Sequence, residues 1–325
     1  MSKILSLIIP VYNVEKYIEE CINSVIIQLD NRIEIIIIND GTPDNSIKII
    51  EDCLKDLPQN LQDCFIILNQ ENQGQSAARN NALKICTGDY IAFLDSDDVI
   101  SKDYFLNIFN VINSCKPDII RFKACRFKNK IDEKMAFNTG LNLEGFQELD
   151  NNLLIKIFNA SSWFPWLNVY KKNKFKNILF PEGVYFEDAN AIPEVFLISK
   201  NIYCINSVLY FYRINESGSL LNDNFKNIQK HILSYNCILN TYKDRVFVNK
   251  LYTSPYISMQ LLYILFLLKN KMYISAFIEN KRFKKSKNLL KKELIQTKSN
   301  KLYLKMGLFF IFLSKIYSIF KGLFK

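Results

Sequence analysis

Residues 88–98 read Gly88-Asp89-Tyr90-Ile91-Ala92-Phe93-Leu94-Asp95-Ser96-Asp97-Asp98: a short apolar run followed at once by three carboxylates around one serine. Such a run predicts a strand covered on both faces, as strands of a parallel sheet are. Three acids packed behind it repel one another unless a cation or a set of hydrogen-bond donors compensates. Toward the N-terminus, similar runs at 4–9, 33–38 and 64–68 alternate with amphipathic stretches. Val14, Tyr17, Ile18, Cys21, Ile22, Val25 and Ile26 recur at helical spacing after the loop Pro10-Val11-Tyr12-Asn13, and residues 46–54 and 76–85 supply two further helices. The series is βαβαβαβ, which predicts an α/β fold: a Rossmann-like, mostly parallel sheet with helices on both faces.

A second acidic loop, Asn39-Asp40-Gly41-Thr42-Pro43-Asp44, follows the run at 33–38. Ligands of open parallel sheets bind outside the carboxyl ends of the strands, so both loops open onto one crevice. Asp44, just ahead of Ser46, is equally suited to capping the next helix. The hard oxygen donors of Asp95, Asp97 and Asp98 suit Mg²⁺ or Mn²⁺, ions that keep waters and bind phosphate oxygens alongside one or two carboxylates. The ligand this implies is a diphosphate.

Composition removes several chemistries. The chain has 325 residues, 49% of them hydrophobic and 23% charged, enough to bury a core as one large domain with an appendage or as two domains. Its eight cysteines form no CxxC pair, which speaks against zinc, iron–sulfur or a disulfide framework and for reduced cytosolic thiols. His231 is the only histidine, which removes a His-rich metal centre, and nothing with carboxylate or thiol character flanks it, so it reads as a structural or surface residue and carboxylates are expected to carry any chemistry.

The net charge of +10 is unevenly placed: residues 281–325 hold thirteen Lys and Arg against Glu293 alone, leaving the first 280 residues at −2. That asymmetry points away from nucleic acid and toward an appendage that meets an anionic surface. Residues 306–320, interrupted by Lys315, are too short and too charged to span a bilayer comfortably and suit either an in-plane anchor on anionic lipid or a packed helix with a solvated basic face. The apolar run at 261–268 is eight residues long, short of the roughly twenty needed to cross. No signal peptide is expected, because Pro10 and Asn13 end the first apolar run.

Four stretches together, at 7–15, 39–41, 72–80 and 88–98, resemble bacterial glycosyltransferases of family 2 in order and spacing. The resemblance continues more loosely through Pro165-Trp166, Asn168-Val169-Tyr170-Lys171, Phe180-Pro181-Glu182-Gly183, Glu187-Asp188 and Tyr212-Arg213, stretches similar to the acceptor half of capsule and lipooligosaccharide sugar transferases. It implies a GT-A fold divided into a nucleotide-sugar part at 1–100, an acceptor and catalytic-base part at 101–223, and a C-terminal helical region at 224–325 whose tail is 281–325.

By resemblance, Asp40 accepts from the base N–H of a uracil, Tyr12 stacks beside that ring, Glu15 supports the wall, and Asn13 and Gly41 complete the two loops. Pro10 shapes the turn out of the first strand. Arg79 and Asn80 sit near the nucleotide or donor sugar, Asp95 and Ser96 near the ribose and sugar, and Asp97, with Asp95, on a Mn²⁺ or Mg²⁺ ion. Asn39 stands where many relatives carry a second Asp. Asp188 is the expected general base and Glu187 its partner, although acids in the first turn of a helix are also favoured by its dipole. Arg213, with Ser217 and Ser219, is expected to meet the diphosphate, unless Arg213 is an ordinary surface cation. Trp163, Trp166 and Tyr170 are expected either to form an acceptor platform or to pack in the core.

The activity implied is metal-dependent, inverting transfer of one sugar from a UDP-sugar to a glycan or glycolipid acceptor, by an enzyme peripheral on the cytoplasmic face of a bacterial membrane. A sugar-1-phosphate nucleotidyltransferase would need a Gly-rich loop, and residues 4–15 contain no glycine. A catalytically silent, membrane-docked subunit is the other alternative.

Overall fold

A computed structural model describes residues 2–128, 130–131, 135–137, 139–215 and 225–313. The strands are Leu5–Val11 (β1), Ile33–Asn39 (β2), Phe65–Asn69 (β3), Tyr90–Phe93 (β4), Val99–Ile100 (β5), Ile119–Phe127 (β6), Gly145–Glu148 (β7), Asn168–Lys171 (β8) and Asn201–Arg213 (β9). The α-helices are Ile18–Ile26 (α1), Ser46–Leu54 (α2), Gln59–Gln62 (α3), Gln75–Ile85 (α4), Tyr104–Cys115 (α5), Asn151–Ala160 (α6), Glu187–Ile198 (α7), Phe225–Val248 (α8), Thr253–Lys269 (α9), Tyr273–Lys285 (α10) and Lys298–Met306 (α11).

The sheet runs β3-β2-β1-β4-β8-β6-β9-β5, with β7 paired to β9. The half built from β1 to β4 is parallel throughout, and β1 is buried along its whole length, as its predominantly apolar run leads one to expect. The strand order turns back at β1, which lies between β2 and β4; a crevice opens at such a switch point, beyond the carboxyl ends of those strands. Pro10 lies inside β1, opposite Ile38, and the turn expected at Pro10 begins only after Val11. The other half is mixed: β8 runs antiparallel to both β4 and β6, and β6 runs parallel to β9.

Two compact units emerge. The first comprises Met1–Asp150, Ser162–Gly183 and Glu187–Asn222; the second comprises Asn151–Ser161, Val184–Phe186 and Asp223–Lys325. Helix α6 thus belongs with the C-terminal helices, although its sequence lies within the stretch assigned to the sheet domain.

In the second unit His231 is buried among Tyr185, Phe186, Tyr235 and Phe266. The apolar run at 261–268 forms part of a longer helical stretch, Lys250–Lys269, which by length and composition alone is long enough to cross a membrane. Its apolar window is 61% buried within the protein, the condition of a core helix. The part of the expected lipid anchor at 314–320, with Lys315, lies outside the described residues.

Arg121 is buried in β6, and burial pushes its guanidinium down to about 10.

Candidate active site

The two acidic loops meet at the carboxyl ends of β2 and β4, and each carboxylate there has a different environment. Asp40 is buried at the end of β2. Its Oδ1 accepts from Gln70 Nε2 at 2.8 Å and the Gln73 N–H at 2.9 Å, and its Oδ2 from the Gly74 N–H at 2.8 Å. The side chain therefore fastens the loop that leads into α4. Next to it Gly41 has φ +65°, and a Cβ there would lie 2.9 Å from the Asn72 backbone nitrogen, so both strain and close approach demand glycine.

The wall facing this loop is held by polar contacts. The Asn13 N–H donates to Thr42 Oγ1 at 2.8 Å, the Glu15 N–H to Asp44 Oδ2 at 2.9 Å, and Glu15 Oε2 accepts from the Asn45 N–H at 3.2 Å. Asp44 also accepts from Ser46 Oγ and N–H at the start of α2, one residue ahead of the N-cap position, which Asn45 occupies. Tyr12 is 48% exposed at the end of β1, leaving its ring open to a planar ligand.

The loop after β4 holds the unusual charges. Asp98 is fully buried, accepting from Tyr210 Oη at 2.6 Å and the Arg213 N–H at 2.7 Å. Burial, with Asp97 and Asp95 close by, still holds its carboxyl well above the usual range. Asp97 is pushed up to about 6, first by burial and then by the charge of Asp95. Gln75 Nε2 and Arg79 Nη2 both donate to Asp95 Oδ1, each at 2.9 Å; among the described residues no donor reaches Asp95 Oδ2. This loop carries more negative charge than its protein partners offset.

Arg79 joins the loop to the first turn of α7. Its guanidinium, 2% exposed, donates Nη2 to Asp95 and Nη1 to Glu187 Oε1 at 3.0 Å, and lies over Phe93 and Phe180. Burial alone would lower its affinity for protons; the neighbouring Asp95, Glu187 and Asp188 reverse that. Asp188 Oδ1 accepts from the Ala189 N–H. Burial, then the adjacent Glu187, push the Asp188 carboxyl up to about 7. The helix N-terminus pulls the other way by about 0.3–1 kcal/mol and does not prevail.

The donor set suits a hard divalent cation: all oxygen, with Asp97 destabilised as an anion and one Asp95 oxygen open. Among the described residues no group of three or more His, Cys, Asp or Glu side chains is placed to hold a metal ion by itself. Two carboxylates leave room for water and phosphate oxygens, the coordination Mg²⁺ commonly keeps.

Residues 6–169, half of the chain, match the model of the family described as "Glycosyl transferase family 2". The chain belongs to glycosyl transferase family 2. It is 31% identical over 232 residues to glycosyltransferase GlyA of Streptococcus pneumoniae, covering 66% of this chain and 31% of GlyA. To the minor teichoic acid biosynthesis protein GgaB of Bacillus subtilis it is 32% identical over 224 residues, covering 66% of this chain and 23% of GgaB. The chain therefore spans under a third of either relative. In fold it is similar to the S. aureus TarS 1–349 structure in complex with UDP-GlcNAc, at TM-score 0.67 and 19% identity over 93% of this chain and 87% of that one. The GT-A fold read from the motifs is thus the observed one, with a C-terminal helical region added.

Family 2 membership does not preserve every expected role. Trp163, Trp166 and Tyr170 are 5%, 2% and 0% exposed, so none offers a face to an acceptor. Trp166 stacks on Tyr210 with centroids 4.3 Å apart, Trp163 packs edge-on against Phe196, and Tyr170 packs against Phe93 and Phe175. Asn80 does not face a donor sugar: its amide exchanges hydrogen bonds with the Phe180 backbone, Nδ2 to O at 2.8 Å and N–H to Oδ1 at 2.9 Å, pinning the loop at 180–183.

The Arg213 guanidinium is committed within the protein, donating Nε to the Asp97 carbonyl at 2.7 Å and Nη2 to Glu20. It shapes the acidic loop instead of standing free for a diphosphate. Ser96 is buried within that loop. Ser217 and Ser219 lie outside the described residues. Sequence reasoning missed Gln75, Glu20 and Tyr210, whose partners lie 20 to 193 positions away along the chain.

Proposed function

We propose that this chain is an inverting glycosyltransferase that moves one sugar from a UDP-sugar to a hydroxyl of a bacterial surface glycan, of polysaccharide or teichoic-acid type. The observation that carries the reading is Asp188, a carboxyl brought near 7 and tied through Glu187 and Arg79 to the Asp95 loop. A base with that affinity is poised to take a proton at physiological pH. The acceptor O–H gives its proton to Asp188 while its oxygen attacks the anomeric carbon from the face opposite the diphosphate. The carbon–oxygen bond to the diphosphate breaks, UDP departs with the bonding pair, and the anomeric configuration inverts. Glu187, held by Arg79, fixes the start of α7 so that the base keeps its aim.

Tyr12 and the wall of Asn13, Glu15 and Gly41 receive the uridine, and Asp40 keeps the facing loop in place. Asp97 and Asp95 would hold Mn²⁺ or Mg²⁺, an ion that when bound neutralises charge on the departing diphosphate. TarS, similar in fold, is described in complex with UDP-GlcNAc, and GgaB is named for teichoic acid biosynthesis; both support a UDP-sugar donor and a surface-glycan acceptor. The concentration of cations at 281–325 supports work at the anionic inner face of the cell membrane.

The direct test is slow hydrolysis of a panel of nucleotide sugars in the presence of Mn²⁺, which needs no acceptor. Release of UDP from at least one UDP-sugar, and no comparable release from GDP-sugars, is expected. Exclusive turnover of GDP-sugars would overturn the uridine assignment.

A further inference from the structure

Helix α10 reads Tyr273-Ile274-Ser275-Ala276-Phe277-Ile278-Glu279-Asn280-Lys281-Arg282-Phe283-Lys284-Lys285. Ala276, Asn280 and Phe283 are its buried residues. Tyr273, Ile274, Phe277 and Ile278 are 63%, 79%, 61% and 43% exposed. At 3.6 residues per turn these four fall, with Lys281, Lys284 and Lys285, on one outward arc of about 140°, opposite the buried side. The arc is thus apolar over its first two turns and cationic over its last.

The surrounding charge has one sign. Between 269 and 292 there are nine Lys and Arg and a single acid, Glu279, which is paired with Arg282. Lys269 and Lys271, both exposed, flank the start of the helix. Lys287 is held below the usual lysine range, by burial first and then by Lys284 and Lys292. Two bulky aromatics and two isoleucines standing in water are costly unless something covers them. A soluble polyanion would satisfy the lysines and leave the isoleucines wet; the acyl–headgroup boundary of an anionic bilayer satisfies both.

We propose that the outward face of α10 docks on an anionic lipid surface, with Tyr273, Ile274, Phe277 and Ile278 entering the boundary and Lys281, Lys284 and Lys285 at headgroup level. This rests on the peripheral reading above and assigns the contact to α10 in place of the far C-terminal tail.

The test is flotation of the full chain with vesicles of phosphatidylglycerol and phosphatidylcholine, against pure phosphatidylcholine. The unaltered chain is expected on the anionic vesicles only. The double variant Ile274→Asp/Phe277→Asp lowers the partition coefficient at least tenfold. Lys281→Ser with Lys285→Ser lowers it by about fivefold per cation removed. Leu233→Asp, which alters an equally exposed residue of α8, leaves it unchanged, and all variants keep their rate of UDP-sugar hydrolysis in solution.

Full vesicle binding by Ile274→Asp/Phe277→Asp overturns the α10 assignment and spares the peripheral reading, whereas no binding by the unaltered chain removes both. Equal binding of the unaltered chain and that variant to soluble polyphosphate, with no preference for vesicles, would make the partner a polyanion and also overturn the proposal.

Discussion

The two ends of the parallel half-sheet treat carboxylates in opposite ways. At the amino end, Glu34 of β2 is buried, and Ser6 Oγ, Thr87 Oγ1 and the Thr87 and Gly88 N–H groups all donate to it. Burial alone would raise this carboxyl, yet those donors hold it below the usual range. At the carboxyl end, Asp97 goes up to about 6 and Asp188, on the neighbouring α7, up to about 7, because burial and adjacent acids outweigh the donors they have. Burial acts at both ends; at Glu34 the donors outweigh it, and at Asp97 and Asp188 the charge of a neighbouring acid adds to it. A carboxylate completed by its own chain is structural; one left short is available to a proton, a cation or a substrate.

The largest effect expected from breaking this contrast is at Asp188. Asp188→Asn should lower the transfer rate by about 10²–10⁴-fold while donor affinity stays within about twofold, measured by steady-state turnover beside UDP-sugar titration. Turnover close to the unaltered rate would place the base elsewhere. Its effect on the fold has the opposite sign. A raised carboxyl favours the folded state at low pH and loses that contribution as pH rises toward about 7, so Asp188→Asn should melt higher than the unaltered chain at pH 8 and gain less at pH 5.

Arg79→Gln should cost less, about 10–100-fold, and carries a distinguishing signature. Activity of the unaltered chain should fall below pH 7 as Asp188 takes up a proton. Arg79 lowers the Asp188 carboxyl's affinity for protons, so its removal moves that acid limb to higher pH. A limb that stays in place while the rate drops would reduce Arg79 to a packing role.

The smallest effect on chemistry is expected at the satisfied end. Glu34→Gln should destabilise the fold by about 2–3 kcal/mol at pH 7 by placing a donor amide against donors, and leave the rate per folded molecule unchanged. The depressed carboxyl contributes its stability above the ordinary value of 4.5, so the difference in melting shrinks as pH falls below it. A rate loss matching that of Asp188→Asn would erase the distinction between the two ends.

What sequence could reveal follows from range. The runs that became β1, β2 and β4 are legible because strands buried on both faces are predominantly apolar, and α2 spans the residues its pattern marked. The insertion of β8 between β4 and β6 was not legible, since no local pattern distinguishes antiparallel pairing across such distances. Asp95 and Asp97 stood out because three acids behind an apolar strand are a local anomaly.

Trp166 gave no such sign, because an aromatic ring stacked on Tyr210 in the core and one stacked on a sugar have the same sequence. Glu34 was hidden among isoleucines, and its donors lie on β1 and just ahead of β4. Arg79 and Asn80 are neighbours in sequence with different destinations, Glu187 and the Phe180 backbone, each about a hundred residues away.

We propose that Asp97 and Asp95 hold a divalent cation and, through it, a diphosphate. Calorimetric titration with UDP, with and without Mn²⁺, tests it on the unaltered chain and on Asp97→Asn. Mn²⁺ should tighten UDP binding by at least about tenfold in the unaltered chain and by less than about twofold in the variant. Equal tightening in both proteins, or none in either, would contradict it.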